Sequence, residues 1–442
     1  MNGSPRHGKN TSAAAAGAAR PWVLSGADDD ALRAWARRLV DHLHAHPDTG
    51  VDAFGAALAR RDHRLAHRAV IVGATREELL DGLTALADDA PHPALARATA
   101  TSAAPVTFVY PGQGSQWPGM ATELVGAAPV FADAIARCAD VFTAESGWSL
   151  TEALDTAAAP GTTPRVEVVQ PALYAVSAAL TELWRSFGVV PDAVVGHSMG
   201  DLAAAHAAGS VEIADGARAV AQWSKELMPL VGNGDMASVA LSADEIEPRL
   251  ASWGEDLVLA GVNGPRSVLL AGATDPIVRC VAELTAEGVR AQVIGVAMAA
   301  HSPQMDGVVG GLRAALDWFT PDAGSVPFYS SLTGTAVDTR ELTAQYWCEN
   351  FRNRVQFARS VRACADDRPG VFIEVSPHPV LASAVRQTLD AAGAAHPVLP
   401  TLLRGQGGLR RFLTAAAEAY THGVEVDWTA AFPGVEQDQD AA

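Results

Sequence analysis

No apolar run in this chain reaches the roughly 20 residues that a membrane-spanning helix needs. The basic start (Arg6, His7, Lys9) leads into an alanine-rich stretch too weakly apolar for a signal peptide. Positive charge is also short: 32 Lys and Arg stand against 50 Asp and Glu, a formal net charge of -18. That deficit argues against nucleic acid and anionic membranes as partners, while leaving room for a local basic patch. Cysteine is scarce. Cys138, Cys280, Cys348 and Cys364 form no CxxC pair, so spacing indicates neither a zinc site nor a disulfide frame, and thiols in a reducing compartment are expected. The bias of disorder is missing as well. With 49% hydrophobic and 19% charged residues, the chain suits a globular protein with a large core. A soluble, cytoplasmic protein of one to three domains is predicted.

Residues 1–19 read as a flexible tail and 433–442 as a short, acidic, frayed end. Residues 20–105 form a small α/β unit. Pro21-Trp22-Val23-Leu24 and His67 to Val72 read as strands. Asp28 to His46 reads as a helix with Leu32, Trp35, Leu39 and Leu43 on one face. Thr75-Arg76-Glu77-Glu78 is a capping box opening another helix. This unit carries no polar constellation and reads as a linker domain. From 106 to 402 strands and helices alternate, which predicts a mostly parallel sheet with flanking helices. Within it, 236–296 reads β-α-β-β-α-β, with strands Ala237–Leu241, Leu257–Gly261, Ser267–Leu270 and Ala291–Val296, the ferredoxin-like split unit. A small subdomain is therefore predicted as an insertion in a large one (106–235 and 297–402), with a substrate cleft between them. Residues 403–432, with Arg404, Arg410 and Arg411, read as a segment packed back on the body.

The chemistry centres on Gly196-His197-Ser198-Met199-Gly200, which follows the apolar strand Ala193-Val194-Val195 and precedes an alanine-rich helix. This is the setting of a G-x-S-x-G nucleophile elbow. Small residues on both sides permit the sharp turn that exposes the serine hydroxyl, and the helix N-terminus favours a developing oxyanion. The alternative is an ordinary strand-to-helix turn. A serine nucleophile needs a base. Among 13 histidines, His42, His44 and His46 read as a solvated face, His197 points away from the hydroxyl, and His206 is packed. His301, in the crossover back from the small subdomain, and His378, in Ser376-Pro377-His378-Pro379, are the two candidates. The oxyanion donors fall to the backbone N–H groups of Met199 and of Gln113 in Pro111-Gly112-Gln113-Gly114. That glycine-rich turn lacks the Lys-Ser/Thr of a phosphate loop, and no carboxylate marks itself as a third triad member.

With these motifs in order, the chain resembles the acyltransferase domains of modular polyketide synthases and fatty acid synthases. The matching segments are Pro111–Gly114 with Gln116 and Gly119-Met120, Val168–Leu173, Gly196–Gly200, Val262–Ser267, Ala300-His301-Ser302, Tyr346-Trp347 and Glu374–Leu381. The resemblance implies an α/β-hydrolase-like large subdomain with the inserted ferredoxin-like one. It implies Ser198 as acylated nucleophile, His301 as general base, and Gln113 and Met199 as oxyanion donors. Gln356 is implied as the residue whose backbone carbonyl orients His301, and Gln170 and Asn263 as polar residues lining the site. It further implies an acyl-CoA substrate, an acyl carrier protein bearing phosphopantetheine, a downstream synthase module, and no bound cofactor or metal.

Two departures bear on substrate. Members that load malonyl or methylmalonyl groups carry, by this resemblance, an Arg where Trp223 stands, and it pairs with the substrate carboxylate. Lys225, two positions on, faces elsewhere on a helix. Met298-Ala299-Ala300 replaces bulkier segments and implies a wider apolar pocket. Trp223, Met298 and Ala300 together imply a monocarboxylic starter such as propionyl, isobutyryl or acetyl. With no ketosynthase ahead of the domain, they suggest the loading acyltransferase of an erythromycin-type synthase. An extender acyltransferase, a thioesterase-like hydrolase and a silent docking module are the other readings. A third departure, Asp201 in place of the usual Glu, has no account at this level.

Overall fold

The computed structural model describes residues 18–61, 65–100, 102–156 and 165–435. The expected N-terminal tail up to residue 17, and the expected frayed end beyond 435, lie outside the described residues.

The chain opens with β1 (Arg20–Gly26), β2 (His67–Gly73) and β3 (Leu95–Thr99), an antiparallel sheet in that order. Strands β1 and β2 are nearly continuous in apolar residues because both faces are covered. Trp22, Leu24 and Ile71 pack with Leu32, Leu43 and Leu79 of the helices Asp29–Ala45 and Arg76–Ala87. Val23, Val70 and Val72 instead join the main core with Phe412 of the helix Leu409–Thr421. Asp28 caps the first helix by accepting from the Ala31 N–H at 2.7 Å. The Thr75 box is only half as expected. Thr75 accepts from Glu78 N–H, but the Glu78 carboxylate reaches Ala74 N–H, one residue earlier. The helix Val51–Ala59 and the half-exposed strand β3 went unforeseen in the sequence.

The main body follows in chain order as β4 (Val106–Tyr110) and β5 (Ala193–Gly196). An excursion then runs through β6 (Asp235–Val239), β7 (Val258–Gly264), β8 (Ser267–Gly272) and β9 (Ala291–Val293). The chain returns through β10 (Phe328–Tyr329), β11 (Ala336–Val337), β12 (Val371–Glu374) and β13 (Val398–Pro400). The large sheet has the order β11-β10-β5-β4-β12-β13 and is parallel apart from β11. The excursion forms an antiparallel sheet of order β7-β8-β6-β9, the pairing of a ferredoxin-like unit. Its strands are displaced from the sequence reading. β6 starts at Asp235 rather than Ala237, and β9 ends at Val293 rather than Val296, just before the backbone turns left-handed at Gly295 and Ala297. The first helix of the unit is a single turn, Ala243–Ile246, capped by Ser242 and Glu245. Pro248 then tightens the chain into a 3-10 helix, Glu247–Ser252.

Two glycines let the elbow form at the C-terminal end of β5, in the middle of the large sheet. A Cβ on Gly196 would lie 2.2 Å from Asp201 Oδ1, and one on Gly200 would lie 2.2 Å from the Tyr110 carbonyl oxygen. The second contact is with backbone, which cannot swing aside. Gly200→Ala is therefore expected to destabilise at or beyond the upper end of the about 1–3 kcal/mol typical of overpacking. Gly126→Ala, where a Cβ meets nothing within 4 Å on an exposed helix, is expected to be neutral or to stabilise by up to ~1 kcal/mol. Thermal melts of the two variants beside the parent check the contrast.

Candidate active site

Ser198 stands at the C-terminal end of β5, where ligands of parallel sheets gather. Its φ is 56°, in the left-handed region, and that strained turn lifts the hydroxyl clear of the strand. His301 also has a left-handed backbone, φ 58°, and its N–H donates to the Phe351 carbonyl at 2.9 Å. The two side chains meet: Ser198 Oγ lies 2.7 Å from His301 Nε2. His301 Nδ1 lies 2.9 Å from the Asn353 carbonyl oxygen. A carbonyl only accepts, so Nδ1 carries the proton and Nε2 presents its lone pair to the serine. This corrects the expectation for Gln356, which stands three residues further on. The Gln356 carbonyl caps the helix Phe357–Asp367 by accepting from Ser360, and its N–H donates to Ser331 O. Burial, helped by the nearby His197, lowers the His301 pKa to about 4, although the Asn353 bond works the other way. The imidazole is therefore neutral near pH 7, as a base must be.

The Pro111–Gly114 turn lies against the elbow because Gly200 lets the following helix approach Tyr110 and Pro111. Gln113 and Met199 both line the cleft with Ser198 and His301. Among the described residues, neither of their N–H groups has a hydrogen-bond partner. The other lining residues are largely apolar: Leu227, Met236, Leu269, Ile294, Val296, Met298, Ala300 and Phe351. Among the described residues, neither Lys, Arg, Asp nor Glu lines the cleft. Met298, Ala300 and Gln170 line it, whereas Met236, Leu269 and Ile294 of the small subdomain carry no motif and escaped sequence reasoning.

Two expected lining residues sit behind the wall. Trp223 is fully buried, packed against Trp347 and Phe351, and its indole N–H donates to Gln170 Oε1 at 2.8 Å. Gln170 passes the contact on, donating from Nε2 to Gln113 Oε1 at 3.2 Å. Asn263 accepts from His197 Nε2 at 2.8 Å, so this histidine turns toward the small subdomain and away from Ser198. Burial lowers the pKa of His197, against the effect of the Asn263 bond. Lys225 faces out and reaches the Glu145 carbonyl. His378 accepts from the Arg404 N–H and does not line the cleft, while His206 is buried against Glu182 and the Val211 carbonyl. Of the three arginines of the wrap-back segment, Arg410 pairs with Glu78 and buried Arg411 with Glu418. Among the described residues no His/Cys/Asp/Glu group could hold a metal ion, no helix is long and apolar enough to cross a membrane, and all four cysteines are buried.

The family profile described as "Acyl transferase domain" matches residues 107–426. Polyketide synthase GfsA of Streptomyces halstedii is 47% identical over 415 residues, which span 94% of this chain but 6% of that protein. The solved acyltransferase domain from module 8 of the salinomycin polyketide synthase superposes with a TM-score of 0.87 at 43% identity, covering 93% of this chain and 98% of that one. A loading acyltransferase from the avermectin modular polyketide synthase superposes with a TM-score of 0.67, also at 43% identity, covering 71% of this chain and 99% of that one.

The depressed His301 sets a pH profile. Ser198 attack on an activated ester should fall off only as pH drops through about 4, where His301 takes up its proton, and should be flat through the 6.5 of an ordinary imidazole. Single-turnover rates between pH 4 and 8, with His301→Ala as control, are the measurement. An acidic limb centred near 6.5 would contradict the buried, neutral imidazole.

Proposed function

Because the chain belongs to the acyl transferase domain family, in the form found in polyketide synthases, we propose that Ser198 carries a short acyl group from a coenzyme A thioester to the phosphopantetheine thiol of an acyl carrier protein. The carrying observation is the 2.7 Å Ser198–His301 contact, with the imidazole tautomer set by a backbone carbonyl. His301 Nε2 takes the hydroxyl proton as Oγ attacks the thioester carbon. The carbonyl oxygen becomes an oxyanion facing the N–H groups of Gln113 and Met199. The C–S bond then breaks, the sulfur leaves with the proton from His301, and the acyl group stays on Ser198 as an ester. The carrier thiol repeats the sequence in reverse, giving up its proton to His301 and returning Ser198 to the hydroxyl form.

The absence of any cationic side chain among the described residues that line the cleft supports a monocarboxylic starter group, propionyl above all, with isobutyryl and acetyl as relatives. A malonyl carboxylate there would be buried without a partner, which costs several kcal/mol in rough terms. Trp223 reinforces this from behind the wall: it fills its site with indole and offers one N–H, already given to Gln170. The two solved relatives stand at equal identity, one a module 8 domain and one a loading enzyme, so the starter reading rests on the pocket. An extender acyltransferase is the rival within the same chemistry. A cytoplasmic setting and a downstream synthase module belong to the same proposal.

Brief incubation with propionyl-, isobutyryl- or malonyl-CoA, followed by intact-protein mass, tests it. A propionyl or isobutyryl adduct lost in Ser198→Ala is expected. A malonyl adduct forming faster than propionyl would overturn the starter assignment, and fast release of free acid without a carrier would favour a hydrolase. Trp223→Arg is expected to raise the malonyl-to-propionyl labelling ratio by about tenfold or more, the scale of one buried charge pairing.

A further inference from the structure

Asp201 lies three residues past the nucleophile, on the first turn of the helix Gly200–Ala207, and is fully buried. Four donors converge on its Oδ2: Tyr346 O–H at 2.6 Å, Ser331 O–H at 2.8 Å, Asn350 Nδ2–H at 2.9 Å and Ser331 N–H at 3.3 Å. Ser331 Oγ, having donated its proton to Asp201, accepts from the Ser198 N–H at 3.0 Å. One arm of the network therefore holds the backbone of the nucleophile. The other arm holds the base. Tyr346 and Asn350 project from the helix Ala344–Arg352, and the chain at its end supplies the Phe351 and Asn353 carbonyls that fix His301 N–H and Nδ1.

We propose that Asp201 is a positioning residue that sets the separation between Ser198 and His301, by tethering the elbow to the helix that carries the carbonyls of the base. It touches neither substrate nor reacting atoms. Two left-handed backbones at the nucleophile and the base persist only where the surroundings over-determine them, and this network reaches both. Burial pushes the Asp201 carboxyl up to about 7 against the pull of its donors. An apolar residue of similar volume would avoid that desolvation but would anchor neither arm. The fit is close on the far side also, where Oδ1 sits under Gly196 and has no hydrogen-bond partner.

The inference rests on Ser198 as nucleophile and His301 as base, and its test is independent of the acyl donor. Ser331→Ala cuts the arm to Ser198, and Tyr346→Phe weakens the arm to His301; neither residue lines the cleft. Each variant is measured for Ser198 labelling by a fluorophosphonate, for acylation by propionyl-CoA with KM and kcat separated, and for thermal stability. The expected result is an about 10–100-fold fall in labelling and in kcat with KM changed less than about threefold, in protein that still melts cooperatively. The double variant should lose less than the product of the two, because both act through one carboxylate. Variants that lose melting temperature but label at the parent rate while folded would overturn the proposal. Parent protein that labels with fluorophosphonate yet ignores propionyl-CoA would overturn the donor assignment instead, and the ratio of variant to parent labelling would still decide the role of Asp201.

Discussion

The site depends on a constraint on two backbones. Ser198 and His301 are 103 positions apart in sequence, and each is held at a φ near +57° that side-chain-bearing residues avoid. The elbow needs its strain to raise the hydroxyl; the histidine needs its own to aim Nε2 back across the cleft. Such conformations cost on the order of 1–3 kcal/mol each and survive only where packing and hydrogen bonds leave no relaxed alternative. On the serine side the restraint is the wedge of Gly196 and Gly200 against Asp201 and Tyr110, with Ser331 on the Ser198 N–H. On the histidine side it is the pair of carbonyls from Phe351 and Asn353.

The segment bearing Asn353 is itself clamped between the two sheets. Val355 N–H donates to Ala260 O at 2.8 Å and Val355 O accepts from Val262 N–H at 2.9 Å, so it pairs with β7 of the small sheet. Gln356 N–H donates to Ser331 O at 2.6 Å, next to the large sheet. Asn263, one residue beyond Val262, holds His197 beside the nucleophile. The small sheet thus does more than roof the cleft with Met236 and Leu269. It grips both the strand end that precedes Ser198 and the segment that orients His301, so a displacement of β7 would be felt at both partners of the dyad.

What could be read in the sequence follows from how local the cause is. The elbow was legible because its strand, its turn glycines and its helix are contiguous in 193–207. The ferredoxin-like order was legible from the alternation of short patterned runs, though its strand ends moved by up to three residues, at β9 because the left-handed turn at Gly295 and Ala297 intervenes. Strand β3 carries little pattern because it lies at a half-exposed edge. The orienting carbonyl was placed at Gln356 rather than Asn353 because any residue can supply a backbone carbonyl, and side-chain identity gives no sign of which one does. Asp201 stood out as a departure without a cause, since its partners Ser331, Tyr346 and Asn350 are 130 or more positions away. Trp223 was expected to face the cleft and instead reaches it through Gln170.

That relay alters how specificity at Trp223 is to be understood. The indole N–H fixes Gln170 Oε1, which leaves the amide Nε2 to hold the side chain of Gln113, the residue proposed above as an oxyanion donor. On that proposal, selection of the acyl group and stabilisation of charge at its carbonyl would share a chain of two hydrogen bonds. A guanidinium in place of the indole would bring several donors and a full charge to Gln170, and would draw a carboxylate into the cleft to balance it. The neutral relay avoids this. It keeps the cleft apolar while Gln170 and Gln113 stay in register with the dyad, and the neutral His301, buried and oriented by a carbonyl, completes a site with no fixed charge on its lining among the described residues. On the mechanism proposed above, an oxyanion formed in such surroundings would meet no fixed charge but the imidazolium created with it, and backbone dipoles aimed at it would act with little screening.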